Sequence, residues 1–356
     1  MVKDCLSWLK VNQRIDSDNS WRERILWQLH FKRSHNLQTR FKRRIIRMLF
    51  RSYRETADIR FFNEYLFFSD AKKGRQRTNS AMFHMFSGNL RVDGTHCWSK
   101  NMELTAMKFL DSNDGKLLET PEFDSSIRVG LLGSPHFFNN LKTKLDRVGL
   151  KSVILFIPHH SSRLVRFLYN SKILFKTFLF FKNIRIPYED VSGDYKRGSI
   201  STAIRERSLD IAFHKLGFII KNNIINSFPL GIINDHWGPL PEVRGRSSLE
   251  YTLIFGFPVV VTTHFITEKV DDGEIISFFD YRHLIESSSS VEDLKAKIRE
   301  KTDERAARSI TLAISKKYMG INNNSKDGLM FYAMHPRLVR YVNRVILGRE
   351  PYSGAL

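Results

Sequence analysis

Apolar positions in the first part of the chain recur at helical spacing. Trp21, Ile25 and Leu29 form one i, i+4 stripe and Phe41, Ile45 and Leu49 a second, so residues 21–54 predict two amphipathic helices. The texture changes at Ile127. Residues 127–132 are a short apolar run closed by Gly133, Pro135 opens a helical pattern through Leu141 and Leu145, and residues 152–157 form a second strand. Strand, helix and strand in that order predict a βαβ unit and therefore a parallel sheet. Further strands are expected at residues 210–213, 231–234 and 259–265, with helices at 201–207 and 247–255. Residues 292–314 read as one helix, with Leu294, Ile298 and Ala306 on one side. A loop at 322–326 and a last helix at 336–347 follow.

Charge adds a second feature. The net charge is +20, and residues 21–54 alone carry eleven Lys and Arg against one acidic residue, Glu23. Such a balance attracts an anion, whether nucleic acid, a phosphorylated substrate or an acidic membrane face. For residues 21–54 the simpler reading is an apolar stripe packed on the main domain with its charges in water. Interleaved aromatic and basic residues also make RNA a possible partner there. Cys5 and Cys97 are the only cysteines, so neither a disulfide framework nor a cysteine metal site is expected, and a reducing, cytoplasmic location fits. The N-terminus lacks the apolar core of a signal peptide. The most apolar stretches, 152–158 and 173–181, fall short of the ~20 residues that span a bilayer. At 356 residues the chain exceeds what one core usually covers, which suggests a basic extension at 1–126, an α/β domain at 127–320 and a helical tail at 321–356.

Candidate chemistry gathers where a buried strand gives way to polar residues. Asn234 and His236 lie two apart at the end of an expected strand, so both leave it on one side. The carboxyl ends of strands are where open α/β sheets place functional groups. A later strand carries Thr262, Thr263 and His264 and runs into Glu268, Asp271, Asp272 and Gly273. An amide, an imidazole and a remote carboxylate suit proton transfer at a centre developing oxyanion character. Glu268, Asp272 and Glu274 are better read as solvated turn carboxylates than as a cation site, and no metal is expected.

These stretches resemble the catalytic domain shared by folate-dependent formyltransferases, which act on glycinamide ribonucleotide, methionyl-tRNA or amino sugars. The resemblance rests on Asn234-Asp-His236, Pro239-Leu-Pro241, Arg244-Gly245, Thr262-Thr-His-Phe265 and Val270-Asp-Asp-Gly-Glu-Ile-Ile276. Upstream, Val129 to Phe138, Ser208 to Phe213 and Gly217 to Ile220 are similar to the family's opening strand and pterin-lining loop. It implies a Rossmann-like domain with a mostly parallel sheet and N10-formyltetrahydrofolate as formyl donor. Asn234 would hold the formyl oxygen, His236 would assist proton removal from the attacking amine, and Asp271 would organise a water and the imidazole. Phe218, Ile219, Thr267, Glu268, Lys269 and Val270 would line the cofactor site, and His264 would support from behind. The turn at Gly133 departs from the purine enzyme's phosphate loop, and the Trp237-Gly238 loop and helical tail depart from the transfer-RNA enzyme. The implied acceptor is a small phosphorylated amine, an amino sugar linked to a nucleotide, with Arg244 and Arg246 as phosphate ligands. A transfer-RNA formyltransferase and a formyltetrahydrofolate hydrolase are the alternatives.

Overall fold

The computed structural model describes residues 25–26, 29–30, 39–56, 58–69, 126–157, 188–191, 199–323 and 328–348. The expectations at 173–181, and at Trp21 in the first stripe, lie outside them. In helix α1 (Thr39–Thr56) Ile45, Leu49 and Tyr53 are buried while Arg43, Arg44, Arg47 and Arg51 are exposed. The stripe thus faces the core and the charge faces water. Helix α2 (Ile59–Ser69) was not foreseen, because Phe61, Phe62, Tyr65, Leu66 and Phe68 bury it nearly all round and leave no periodicity to read.

The sheet begins with β1 (Arg128–Leu132). A short 3-10 turn (Pro135–Phe137) and helix α3 (Asn139–Arg147) lead to β2 (Lys151–Phe156) and β3 (Glu189–Asp190). Helix α4 (Ile200–Glu206), β4 (Ile211–His214), the single turn α5 (Asn222–Ile225) and β5 (Ile232–His236) follow. Then come β6 (Val243–Gly245), α6 (Ser248–Phe255), β7 (Val260–Phe265) and β8 (Ile275–Asp280). Helices α7 (Val291–Glu300) and α8 (Thr302–Ile314), strand β9 (Leu329–Phe331) and helix α9 (Pro336–Tyr341), continued by a π-helical turn, close the chain.

The main sheet has the order β3-β2-β1-β4-β5-β7-β8. Its first five strands are parallel; β7 and β8 are antiparallel additions at one edge. This is the α/β, mostly parallel architecture that the strand and helix pattern implies, Rossmann-like as the family resemblance implies. One face is covered by α3 and α8, where Leu141, Leu145, Ala306 and Ile310 meet Val129, Leu131, Phe213 and Ile233. The other is covered in part by α4 and α5, where Ile200, Ile204 and Ile224 meet Leu132, Ala212 and Ile232. A third cluster joins Leu49 and Phe62 of the N-terminal helices to Leu249, Leu294, Phe331 and Leu338.

Two expectations change in detail. Residues 292–314 form two helices rather than one, because Lys301 leaves helical geometry at φ −91° and ψ 2°. Asp303 and Glu304 then start α8, where acidic side chains complement the positive end of the helix dipole. The tail contains a strand as well as helix: β9 pairs with β6 beside the Asp271 turn.

Candidate active site

Asn234 and His236 end β5, and β7 runs antiparallel beside it with Asn234 opposite His264 and His236 opposite Thr262. Alternation puts Asn234 and His236 on one face and Asp235 on the other. There Asp235 is held by Arg305, whose Nε and Nη2 donate to Oδ2 at 2.9 and 2.8 Å, and Arg305 also donates to the Tyr281 hydroxyl at 2.7 Å. This ion pair lies against the strand from behind and ties β5 to α8.

His236 is buried and fixed at Nε2. Nε2–H donates to the Val243 carbonyl at 2.6 Å, while Nδ1 faces Asp271 Oδ2 at 3.4 Å. The turn between β7 and β8 therefore folds back over the face that carries Asn234 and His236. Its fold depends on Asp271 taking a left-handed conformation, φ 49°, which aspartate tolerates better than most residues. The Asp271 carbonyl accepts from Arg244 Nη1 at 2.6 Å and from Asn323 Nδ2 at 3.0 Å, and the carboxylate accepts the Gly245 N–H at 2.6 Å. Gly245 has φ 91°, and a Cβ there would collide with the Phe331 carbonyl, so the backbone donor needs glycine. Burial works against ionisation of Asp271, yet His236, His264 and the Gly245 N–H outweigh it and hold the carboxyl well below the usual range.

Asn234 is oriented from the side. His264, 1% exposed, gives its Nδ1–H to the Phe265 carbonyl at 2.8 Å, which leaves Nε2 as an acceptor. Asn234 Nδ2 approaches that Nε2 at 3.4 Å, so one amide hydrogen is engaged and the other is available. Burial pushes His264 toward the neutral ring that this geometry uses, partly offset by Asp271. Thr262 accepts the Leu240 N–H and donates to the Gly238 carbonyl at 2.6 Å, pinning the Trp237 to Pro241 loop over His236. In that loop burial pushes the Glu242 carboxyl up to about 7.

The structure thus brings Asn234, His236 and Asp271 together on one face. Phe218 is half-buried and Ile219 is 64% exposed in the loop after β4. Thr267, Glu268 and Lys269 are exposed on the turn after β7, with Val270 half-buried. Arg244, 1% exposed, is engaged with the Asp271 turn and Asn323, whereas the Arg246 side chain is exposed. Glu274 accepts from the Tyr318 hydroxyl and Asp272 lies 3.8 Å from Lys269 Nζ. Among the described residues no group of three His, Cys, Asp or Glu is placed to hold a metal. No helix among them is long and apolar enough to cross a membrane. Sequence reasoning missed the Val243 carbonyl and Asn323.

No family model matches the chain. Formyltetrahydrofolate deformylase 2, mitochondrial, from Arabidopsis thaliana is 28% identical over 86 residues, which are 24% of this chain and 25% of that protein. Methionyl-tRNA formyltransferase from Bacillus thuringiensis (strain Al Hakam) is 27% identical over 117 residues, 33% of this chain and 37% of that protein. The chain thus spans between about a quarter and two fifths of the length of these relatives. A 4-N formyltransferase from Francisella tularensis aligns over 58% of this chain and 77% of its own, at 18% identity and a TM-score of 0.41. In sequence the chain is similar to the folate-dependent formyltransferases and formyltetrahydrofolate deformylases.

Proposed function

We propose that this chain is an enzyme that moves a formyl group from N10-formyltetrahydrofolate to a primary amine. The observation that carries the reading is the junction of Asn234 with the His236–Asp271 pair on one face at the end of β5, in a chain whose sequence is similar to enzymes of formyl-folate chemistry. When bound, the donor supplies a formyl carbon open to attack by an amine.

Asn234 contributes its available Nδ2 hydrogen to the formyl oxygen, where negative charge develops. His236 cannot accept a proton at Nε2, which already donates to Val243, so Nδ1 is its working edge. A proton leaving the amine arrives there, beside a carboxylate that stays ionised and takes up the positive charge of the ring. The loops after β1 and β4 expose Phe137 (44%) and Ile219 (64%), and an aromatic folate fits such apolar edges.

The acceptor is a nucleotide-linked amino sugar in this reading. Support comes from the Trp237-Gly-Pro-Leu-Pro241 loop, the net charge of +20 and the exposed Arg246, with Arg244 committed to the turn. Hydrolysis, with water in place of the amine, is the second reading, favoured by the similarity to the deformylase. Incubation of the full chain with N10-formyltetrahydrofolate and a panel of amino-sugar nucleotides, with methionyl-tRNA alongside, separates them. Mass gain of one formyl group on a sugar supports the first reading. Formate release without any amine supports hydrolysis, and formylation of methionyl-tRNA alone would replace the acceptor.

A further inference from the structure

β4 and β5 pair in parallel with Phe213 opposite Ile233, so the next residues, His214 and Asn234, stand side by side on the same face of the sheet. Asn234 in turn is opposite His264 on β7. Three neighbouring strands therefore present His214, Asn234 and His264 as one row. Side chains adjacent in such a row lie within reach of one another.

The state of His214 follows from its contacts. Its Nδ1 accepts the Leu216 N–H at 3.3 Å, which leaves the proton on Nε2. That Nε2–H is buried without a hydrogen-bond partner, in a side chain 8% exposed. Burial pushes the ring's pKa down to about 4, with His264 adding to the effect and Asp271 opposing it, so the ring is neutral at physiological pH. A neutral imidazole with a fixed, unserved donor is a poor proton shuttle and a good anchor. An orphaned buried donor also costs free energy until it finds an acceptor. On the next strand, Asn234 sends its Nδ2 toward His264, which leaves its Oδ1 as the end of the amide available to β4.

We propose that His214 is a positioning residue whose Nε2–H, unserved in this structure, takes Asn234 Oδ1 as its acceptor through a small rotation of the amide, so that the amide is clamped between two imidazoles, one donating and one accepting. The clamp fixes which end of the amide is nitrogen and aims the second Nδ2 hydrogen at the formyl oxygen. A lone contact to His264 leaves the amide freer to turn. The inference rests on the formyl-transfer reading for its kinetic consequence, but not for the hydrogen bond itself.

The test compares His214→Phe, which keeps the ring volume and removes the donor, with His214→Gln, which retains a donor. In formyl transfer by the full chain, His214→Phe lowers kcat about five- to tenfold with KM for the folate donor little changed, the cost of one neutral hydrogen bond. His214→Gln recovers most of that loss. In an Asn234→Ala background, His214→Phe has no further effect, because His214 acts through Asn234. Additive losses, or equal rates for wild type and His214→Phe, would overturn the clamp. A wild-type chain that moves no formyl group defeats the functional reading instead. The clamp is then decided by NMR of the ligand-free chain, where the Asn234 side-chain amide signals should shift with His214→Phe and stay near wild type with His214→Gln. Signals that are the same in all three chains would refute it.

Discussion

At the scale of single residues, the site is a set of fixed hydrogen-bond directions. His236 is held at Nε2 by the Val243 carbonyl and turns Nδ1 toward the Asp271 carboxylate, and Asp271 is held by the Gly245 N–H and, through its backbone, by Arg244 and Asn323. Gly245→Ala therefore displaces the Asp271 anchor, and urea unfolding should show a loss of at least the roughly 1–2 kcal/mol of a left-handed residue with a Cβ, increased by the collision with Phe331. Acid stability reports on His214. Its folded pKa near 4 lies below the unfolded value near 6.5, so the unfolded chain binds the proton first and stability falls as pH drops from about 6.5 to about 4. His214→Phe should flatten that window by an amount on the order of 3 kcal/mol, read from urea midpoints across pH. Asp271 acts at lower pH: its depressed pKa gives stability that is present above the ordinary carboxylate value and lost below it. That Asn234 and His236 share a face was legible in the sequence, because alternation along an expected strand puts residues two apart on one side; their roles in formyl transfer came only from the family resemblance. His214 was not legible, since its meaning depends on the register of β4 against β5, which no local pattern contains.

At the scale of elements, β5 is braced from the face opposite its chemistry. Asp235 and Arg305 are 8% and 1% exposed at the side chain, and a buried pair costs more to halve than to replace. Arg305→Met should lose about 3–5 kcal/mol by thermal or urea unfolding, and adding Asp235→Leu should recover much of it. No recovery in the double variant would mean that packing around Arg305, and not charge, holds α8 to the strand. The strands β1, β2, β4, β5 and β7 are predicted from runs of apolar residues bounded by Gly, Pro or polar turns. Strand β8 was read only as the end of a turn because its apolar run, Ile275 to Phe279, follows Gly273 at once. Strands β6 and β9 are three residues each, too short to show a period, and α2 is apolar on all sides. The break at Lys301 stands before Thr302 and Asp303, two weak helix formers inside a run otherwise rich in strong ones, too slight a signal to divide the helix in sequence.

At the scale of the whole molecule, the N-terminal helices share a core with the β6–β9 region that frames the Asp271 turn. Arg60 donates to the Met330 carbonyl at 3.4 Å, Asn63 donates to the Ala333 carbonyl at 3.3 Å, and the His335 N–H donates to Asn63 Oδ1 at 2.7 Å. Phe62→Ala should therefore cost about 3–5 kcal/mol, as for other buried aromatic truncations, although it lies far from the site in sequence. Replacing Arg43, Arg44 and Arg47 together by Glu should change stability by only about 0.5 kcal/mol per site, because the exposed face of α1 has no part in that core. RNA affinity is better tested with those charge variants than by deleting the extension, which would open the shared core. The central claim is that Asn234 and His236 carry formyl transfer, and single-turnover transfer from N10-formyltetrahydrofolate to an amino-sugar nucleotide tests it most directly. Asn234→Ala should slow the step about 10²–10³-fold and His236→Ala about 10²–10⁴-fold with the fold intact. Rates within a few-fold of wild type in either variant would contradict the account.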